Sequence, residues 1–286
     1  MRDFYFHTPS SVSEAISLLS QYGEAGRLIS GGTALVTMMK QSLVLADHLI
    51  SLRGVPGLDN IWLESDGVHI GALVNHRAIE MSPVIREHIP LLSEIYGHVA
   101  TIRIRNQATV GGGLAHADPA QDPPPGLIAM NAKVKLESHE GSRTLLVADL
   151  FRDYYETNIA QGEVLTEVIV PLPPPNASGI YLRYTPQTAD DYPTVAVAAV
   201  AVMEGEVCRG IALALGATGP TPIQAVALQS ALQDRPITAN TIKETSELVA
   251  YEVDPLDDFR GSAEYKRDMA VVFTRRALQH VLKVSL

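Results

Sequence analysis

Apolar positions in the first fifty residues switch between two periods. Residues 4–6 form a short apolar run of strand character. Val12, Ala15, Ile16, Leu19 and Tyr22 then recur at helical spacing behind Ser11-Val12-Ser13-Glu14, a capping-box sequence. Residues 27–30 and 48–52 return to strand character, and residues 33–41 between them read as a helix. The pattern predicts β-α-β-α-β, closed by glycine and proline at 53–57.

A middle region opens with a hairpin, residues 60–64 and 68–73, around Ser65-Asp66-Gly67. Helical segments are expected near 77–81 and 91–100. A second hairpin spans 132–137 and 143–147, a return strand spans 164–171, and Pro173-Pro174-Pro175 ends the region as a stiff linker. The last third reads as strands at 180–184, 194–203 and 207–216. Helices follow at 223–232, 238–251 and 262–284. Strands first and helices second indicate a separate α+β unit. The expected units are 1–54, 55–175 and 176–286.

Composition narrows the class. The chain has 286 residues, 46% of them hydrophobic, and a net charge of −10. An acidic balance argues against nucleic acid as a partner. The longest apolar run, residues 194–203, is too short for a membrane span and suits a buried strand. The N-terminus shows no secretory h-region, so a cytoplasmic location is expected. A single cysteine, Cys208, cannot hold an iron–sulfur cluster, a structural zinc or a disulfide, and it reads as a passive, half-buried thiol. The histidines show no ligand spacing, and no metal site is expected.

The candidate chemistry lies in two glycine-dense turns. The first is Leu28-Ile29-Ser30-Gly31-Gly32-Thr33-Ala34-Leu35-Val36, between a strand and a helix. The second is Ala108-Thr109-Val110-Gly111-Gly112-Gly113, followed by His116 and by Asp118-Pro119-Ala120-Gln121-Asp122 and a proline run, expected to be an ordered non-helical loop. Glycines bring backbone N–H groups close to a ligand, and consecutive free N–H groups bind anions. Two such turns can hold one diphosphate between them. Neither a Rossmann fingerprint nor a P-loop is present. Each turn alone also fits a plain tight connection, and Asp122 alone also fits a turn former.

These motifs resemble the FAD-binding medium subunit of molybdenum hydroxylases, the carbon monoxide dehydrogenase and xanthine dehydrogenase family. Four stretches carry the likeness: Gly31-Gly32-Thr33-Ala34-Leu35; Ile104-Arg105-Asn106-Gln107-Ala108-Thr109-Val110-Gly111-Gly112 running on to Asp122; Glu163-Val164-Leu165-Thr166-Glu167-Val168; and Gly261-Ser262-Ala263-Glu264-Tyr265-Lys266-Arg267. They occur in the family's order over nearly the whole chain.

The resemblance implies an α+β fold, with a two-part FAD-binding domain of the PCMH/vanillyl-alcohol-oxidase-like type and a C-terminal α+β domain. It implies FAD held non-covalently, its diphosphate on both turns. Residues 28–36 and 109–113 carry over as cofactor contacts, with Val99 and Ala108 beside them. Asp122 carries over as an acceptor for the adenosine sugar, Leu165 as a packing residue near a ring, and Tyr192 as a cover for the flavin. Arg183 carries over as a cofactor contact, standing where relatives often have a lysine near the flavin. Arg103 and Arg105, taken as extended, would share one face toward FAD phosphates or a partner's acids. The family motif usually ends Gly-Gly-Asn, and here Gly113 replaces the asparagine.

The function implied is that of an electron-transfer oxidoreductase subunit with no catalytic side chain of its own. Its partners would be a large molybdopterin-binding subunit and a small [2Fe-2S] subunit in a heterotrimer, with NAD, a quinone or dioxygen as acceptor. A self-sufficient flavoprotein oxidase or dehydrogenase is the alternative.

Overall fold

The computed structural model describes residues 2–284. Met1, Ser285 and Leu286, at the outer ends of the first and third expected units, lie outside the described residues. The N-terminal portion contains β1 (Tyr5–His7), α1 (Val12–Tyr22), β2 (Gly26–Ile29), α2 (Leu35–Lys40) and β3 (His48–Ser51). Its sheet is parallel in the order β1-β3-β2. Ser11 caps α1 by accepting the Glu14 N–H at 3.1 Å. The reciprocal arm is displaced by one residue, because the Glu14 carboxylate takes the N–H and hydroxyl of Ser10.

The middle portion runs β4 (Ile61–Glu64), β5 (Gly67–Gly71), α3 (His76–Met81), α4 (Pro83–His88), α5 (Pro90–Gly97), α6 (Ile102–Arg105), α7 (Val110–His116) and α8 (Pro123–Ala129). It continues with β6 (Lys133–Ser138), β7 (Gly141–Leu146), β8 (Phe151–Asp153), β9 (Glu156–Thr157) and β10 (Val164–Val170). The main sheet is antiparallel, ordered β4-β5-β10-β6-β7. The return strand therefore lies at its centre, and its apolar residues Val168 and Val170 are buried in the largest core cluster.

Three helical segments depart from the sequence expectations. Residues 102–105 are a helical turn rather than extended. Arg103 and Arg105 therefore project about 200° apart. Arg105 is consumed by Glu80 and by the carbonyls of Val99 and Ala100. Helix α4 starts at Pro83 behind the Ser82 cap, a signal the periodicity did not expose. Pro123, Pro124 and Pro125 open α8 instead of forming a non-helical loop. The first-turn N–H groups of a helix have no intrahelical acceptor, so their loss there costs nothing.

The C-terminal portion contains β11 (Ala177–Tyr184), β12 (Val195–Glu204), β13 (Val207–Gly216), β14 (Ile223–Gln224), α9 (Val226–Leu232), β15 (Arg235–Pro236), α10 (Ala239–Ser246) and α11 (Ala263–Val281). The segment expected to be helical from 223 begins as strand β14. Strand β12 is apolar from Val195 to Met203, and both faces of its first half are buried. Val195, Val197 and Ala199 face the core shared with Phe273 and Leu278 of α11. Ala196 and Ala198 face Ile95 of α5 and Ala129 of α8. The second contact docks this sheet onto the middle portion. Cys208 is fully buried rather than half-buried.

His69 is the buried polar staple of the middle sheet. It lies on β5 beside β10, with one ring nitrogen on Glu167 and the other 2.8 Å from Asp66 in the β4–β5 turn. Burial opposes its charge, but the hydrogen bonds and charges of Asp66 and Glu167 outweigh it and raise the pKa above the ordinary 6.5. A raised folded value means that the imidazolium's stabilising contribution is complete below the ordinary value of about 6.5 and is lost as pH rises from there through the higher folded value. Urea unfolding from about pH 6 to 9 should show stability falling with pH in the parent and a flatter profile in His69→Gln. Parallel profiles would refute this role.

Candidate functional site

The two glycine turns meet although about eighty residues separate them. The first leaves the carboxyl end of β2, the end at which parallel sheets bind ligands. The second is the start of α7, so its glycines lie inside a helix rather than before one. Ser30 Oγ and Thr109 Oγ1 are hydrogen-bonded across the junction at 2.9 Å. A Cβ on Gly31 would stand 2.1 Å from the Gln107 carbonyl oxygen. A Cβ on Gly112 would stand 2.6 Å from Ser30 Oγ and 2.8 Å from Thr109 Oγ1. The first contact is with backbone and leaves no room for a side chain, so glycine at 31 is a condition of the crossing; the second is with two hydroxyls that a side chain at 112 would have to displace.

The turns differ in what they offer an anion. The expected free N–H groups of the second are already spent. Val110 donates to the Val74 carbonyl, Gly111 to that of Ala72, and Gly113 to that of Thr109. Gly112 donates to Thr109 Oγ1 at 3.2 Å. The first turn keeps its donors: the N–H groups of Gly31, Gly32, Thr33, Ala34 and Leu35 have no protein acceptor among the described residues. Gly32 holds the bend with φ +74°, where L side chains are strained. Five consecutive unpaired donors form a concavity for an anion.

This concavity opens into a cavity of about 680 Å³, within the range of small-molecule and cofactor sites. Residues 28–35, Val99, Ala108, Thr109, the glycines 111–113, Asp122, Leu165 and Tyr192 all border it. Val36, Val110 and Arg183 do not. Val110 is buried in the middle core. Sequence reasoning did not select His76, Gln121 or Tyr155, which also border the cavity and which no glycine motif marks.

Among the described residues, Arg27 is the sole lysine or arginine on the cavity wall, and its guanidinium donates to the carbonyls of Glu24 and Gly26, while the exposed Asp190 and Asp191 line the same wall without an ion-pair partner. An anion there would be held by peptide dipoles rather than by a side-chain cation. Burial lowers the pKa values of His76 and His116, that of His76 to about 4, so both are neutral at neutral pH.

Asp122 and Arg183 tie the middle and C-terminal portions together. Asp122 is 4% exposed, and its Oδ1 accepts the Tyr181 hydroxyl at 2.6 Å. Arg183 Nε lies 3.1 Å from the same oxygen but off the hydrogen-bond axis, so this is a charge contact. Burial pushes the Asp122 carboxyl up to about 6 against the pull of Arg183 and Tyr181. The remaining Arg183 nitrogens hold the carbonyls of His98, Ala189 and Asp191. Arg183 thus fixes the 189–191 loop from behind, and that loop carries Tyr192 to the cavity rim.

Two family models together span almost the whole chain. Residues 2–173 match the FAD binding domain in molybdopterin dehydrogenase, and residues 180–281 match the CO dehydrogenase flavoprotein C-terminal domain. The chain belongs to this flavoprotein family. Its cofactor is FAD, and its class is that of the FAD subunits of carbon monoxide and xanthine dehydrogenase-type oxidoreductases. The carbon monoxide dehydrogenase medium chain of Hydrogenophaga pseudoflava is 32% identical over 96% of each chain. The nicotine 6-hydroxylase medium subunit of Paenarthrobacter nicotinovorans is 31% identical over 96% of this chain and 95% of its own. Among solved structures, the Hydrogenophaga carbon monoxide dehydrogenase superposes with a TM-score of 0.96 over 99% of this chain and 98% of that one, at 32% identity. Quinoline 2-oxidoreductase from Pseudomonas putida gives 0.91 at 29% identity, over 98% and 97%.

The family's cofactor fits the site on structural grounds. FAD carries a diphosphate, and the first turn presents unpaired N–H groups and no competing carboxylate of its own. Gly31→Ala should lose FAD more completely than Gly112→Ala, because the first clash is with backbone and the second with hydroxyls that can turn away. The ratio of bound flavin to protein after gel filtration measures this, and full occupancy in Gly31→Ala would contradict the crossing. Asp122→Ala, measured alongside, should lower unfolding free energy by about 3 kcal/mol by leaving Arg183 buried without its carboxylate.

Proposed function

We propose that this chain is the FAD-carrying electron-transfer subunit of a multi-subunit molybdenum hydroxylase. Electrons from iron–sulfur clusters of a small partner would reach FAD here and leave to NAD, a quinone or dioxygen. A large molybdopterin-binding partner would transform the substrate, and the assembly would work in the cytoplasm as a heterotrimeric protomer. The observation that carries this reading is the set of unpaired N–H groups from Gly31 to Leu35 at the mouth of a largely apolar cavity, in a chain matching the flavoprotein family from end to end.

Bound FAD supplies two-electron and one-electron redox chemistry. The chain's own work is positional. Residues 1–54 and 55–175 form the two halves of the cofactor domain, and Gly31 to Leu35 would orient the diphosphate. The remaining glycines of the second turn, with Ser30 and Thr109, would keep that wall thin and rigid. Asp122 borders the adenosine end in this reading, with Leu165 packing against a ring. Residues 176–286 supply the 189–192 loop, whose Tyr192 would shield the flavin from water.

Cys208 is the only thiol, and it is buried away from the cavity. With no thiol at the cavity, and with His116 following the second turn without a matching family role, the flavin should stay non-covalent and be released by denaturation. The full chain, purified alone with FAD, should be reduced by dithionite but not by small nitrogen heterocycles, aldehydes or carbon monoxide. Flavin bleaching by any of these without partners would replace this reading with a self-sufficient oxidase.

A further inference from the structure

Gly113 leaves a gap in the cavity wall that two other segments fill. A Cβ built there would stand 3.0 Å from Gln121 Oε1 and 3.6 Å from His76 Nε2. Gln121 approaches from the loop before α8, and His76 from the first turn of α3. Gln121 Nε2 donates to the Gly113 carbonyl at 2.9 Å. Only the amide nitrogen can donate to a carbonyl, so this bond fixes the carboxamide's orientation. Its Oε1 has no partner among the described residues and is free to accept. His76 is 4% exposed, and its Nδ1 is buried without a partner. The ring is held edge-on against Tyr96, with centroids 5.0 Å apart.

Both residues border the main cavity. Buried polar atoms without partners are costly, and they persist where a ligand completes them. A side chain at 113 would have to displace the Gln121 amide, whose Oε1 lies 3.0 Å from a Cβ built there.

We propose that Gln121 is a cofactor-contacting residue whose carboxamide, held by the Gly113 carbonyl in the side-chain space of Gly113 beside His76, presents its free Oε1 to the bound cofactor. This rests on the FAD reading of the site. It predicts that positions 113 and 121 are energetically coupled through one shared volume.

The test is a titration of the cofactor-free full chain with FAD, read by flavin fluorescence and by the visible band of bound flavin. Gln121→Gly should weaken binding about tenfold and shift the band, in keeping with the loss of a ligand hydrogen bond. Gly113→Asn alone should weaken it at least as much, because its amide collides with Gln121. The double variant Gly113→Asn/Gln121→Gly should recover to within about threefold of the parent, with a parent-like band. Gln121→Met keeps the volume without the amide and should behave as Gln121→Gly if the lost contact is polar. Circular dichroism checks that each variant is folded. Parent-like affinity and spectrum in both Gln121 variants would overturn the proposal, as would a double variant no better than the worse single. A parent chain that takes up no FAD would overturn the family reading itself, an outcome distinct from indifferent variants.

Discussion

Everything at the site depends on two backbones approaching within contact distance where Gly31 meets Gln107, with Gly112 leaving room for the Ser30 and Thr109 hydroxyls beside them. The parallel β1-β3-β2 sheet delivers one backbone, and the strap at 72–76 holds the other through the carbonyls of Ala72 and Val74. The Ser30–Thr109 hydroxyl bond spans the junction. With a methyl at residue 31 the first turn would be pushed off the Gln107 carbonyl, and the cavity between the two portions would change shape. Close packing explains why one atom suffices, since interiors tolerate few additions at contact distance.

The crossing also divides the labour. The second turn is structural, because its donors are spent on the strap and on Thr109. The first retains its donors because α2 begins only at Leu35 and leaves the preceding N–H groups without acceptors. An anion bound by these dipoles needs no arginine or lysine, which suits a cavity whose only wall cation is already held by carbonyls. The C-terminal sheet closes the cavity through the Asp122–Tyr181–Arg183 contact. This pairing accounts for an aspartate and an arginine buried beside a site in which neither need react.

Much of this was legible in the sequence. The glycine turns, the hairpin at Asp66-Gly67 and the doubly buried run at 194–203 follow from local chemistry and periodicity, and most of the selected residues border one cavity. What was not legible depended on partners distant in sequence. The spent donors of Val110 and Gly111 require the strap at 72–76, and the inward role of Arg183 requires the loop at 189–191. The helical prolines of α8 were hidden by a general rule, because proline breaks a helix interior yet opens a helix readily. Gln121 was hidden because it stands at an unspecified position of the second motif; only the gap beside Gly113 shows where its amide lies.

The central claim is that the first turn, and not the second, supplies the free backbone donors for FAD. Residue-resolved amide hydrogen exchange of the full chain, with and without FAD, tests it most directly. Without cofactor, the amides of Gly31 to Leu35 should exchange fast, and those of Val110 to Gly113 should already be protected. Added FAD should protect the first set and barely change the second. Protection gained at residues 110–113, with 31–35 unaffected, would contradict the account.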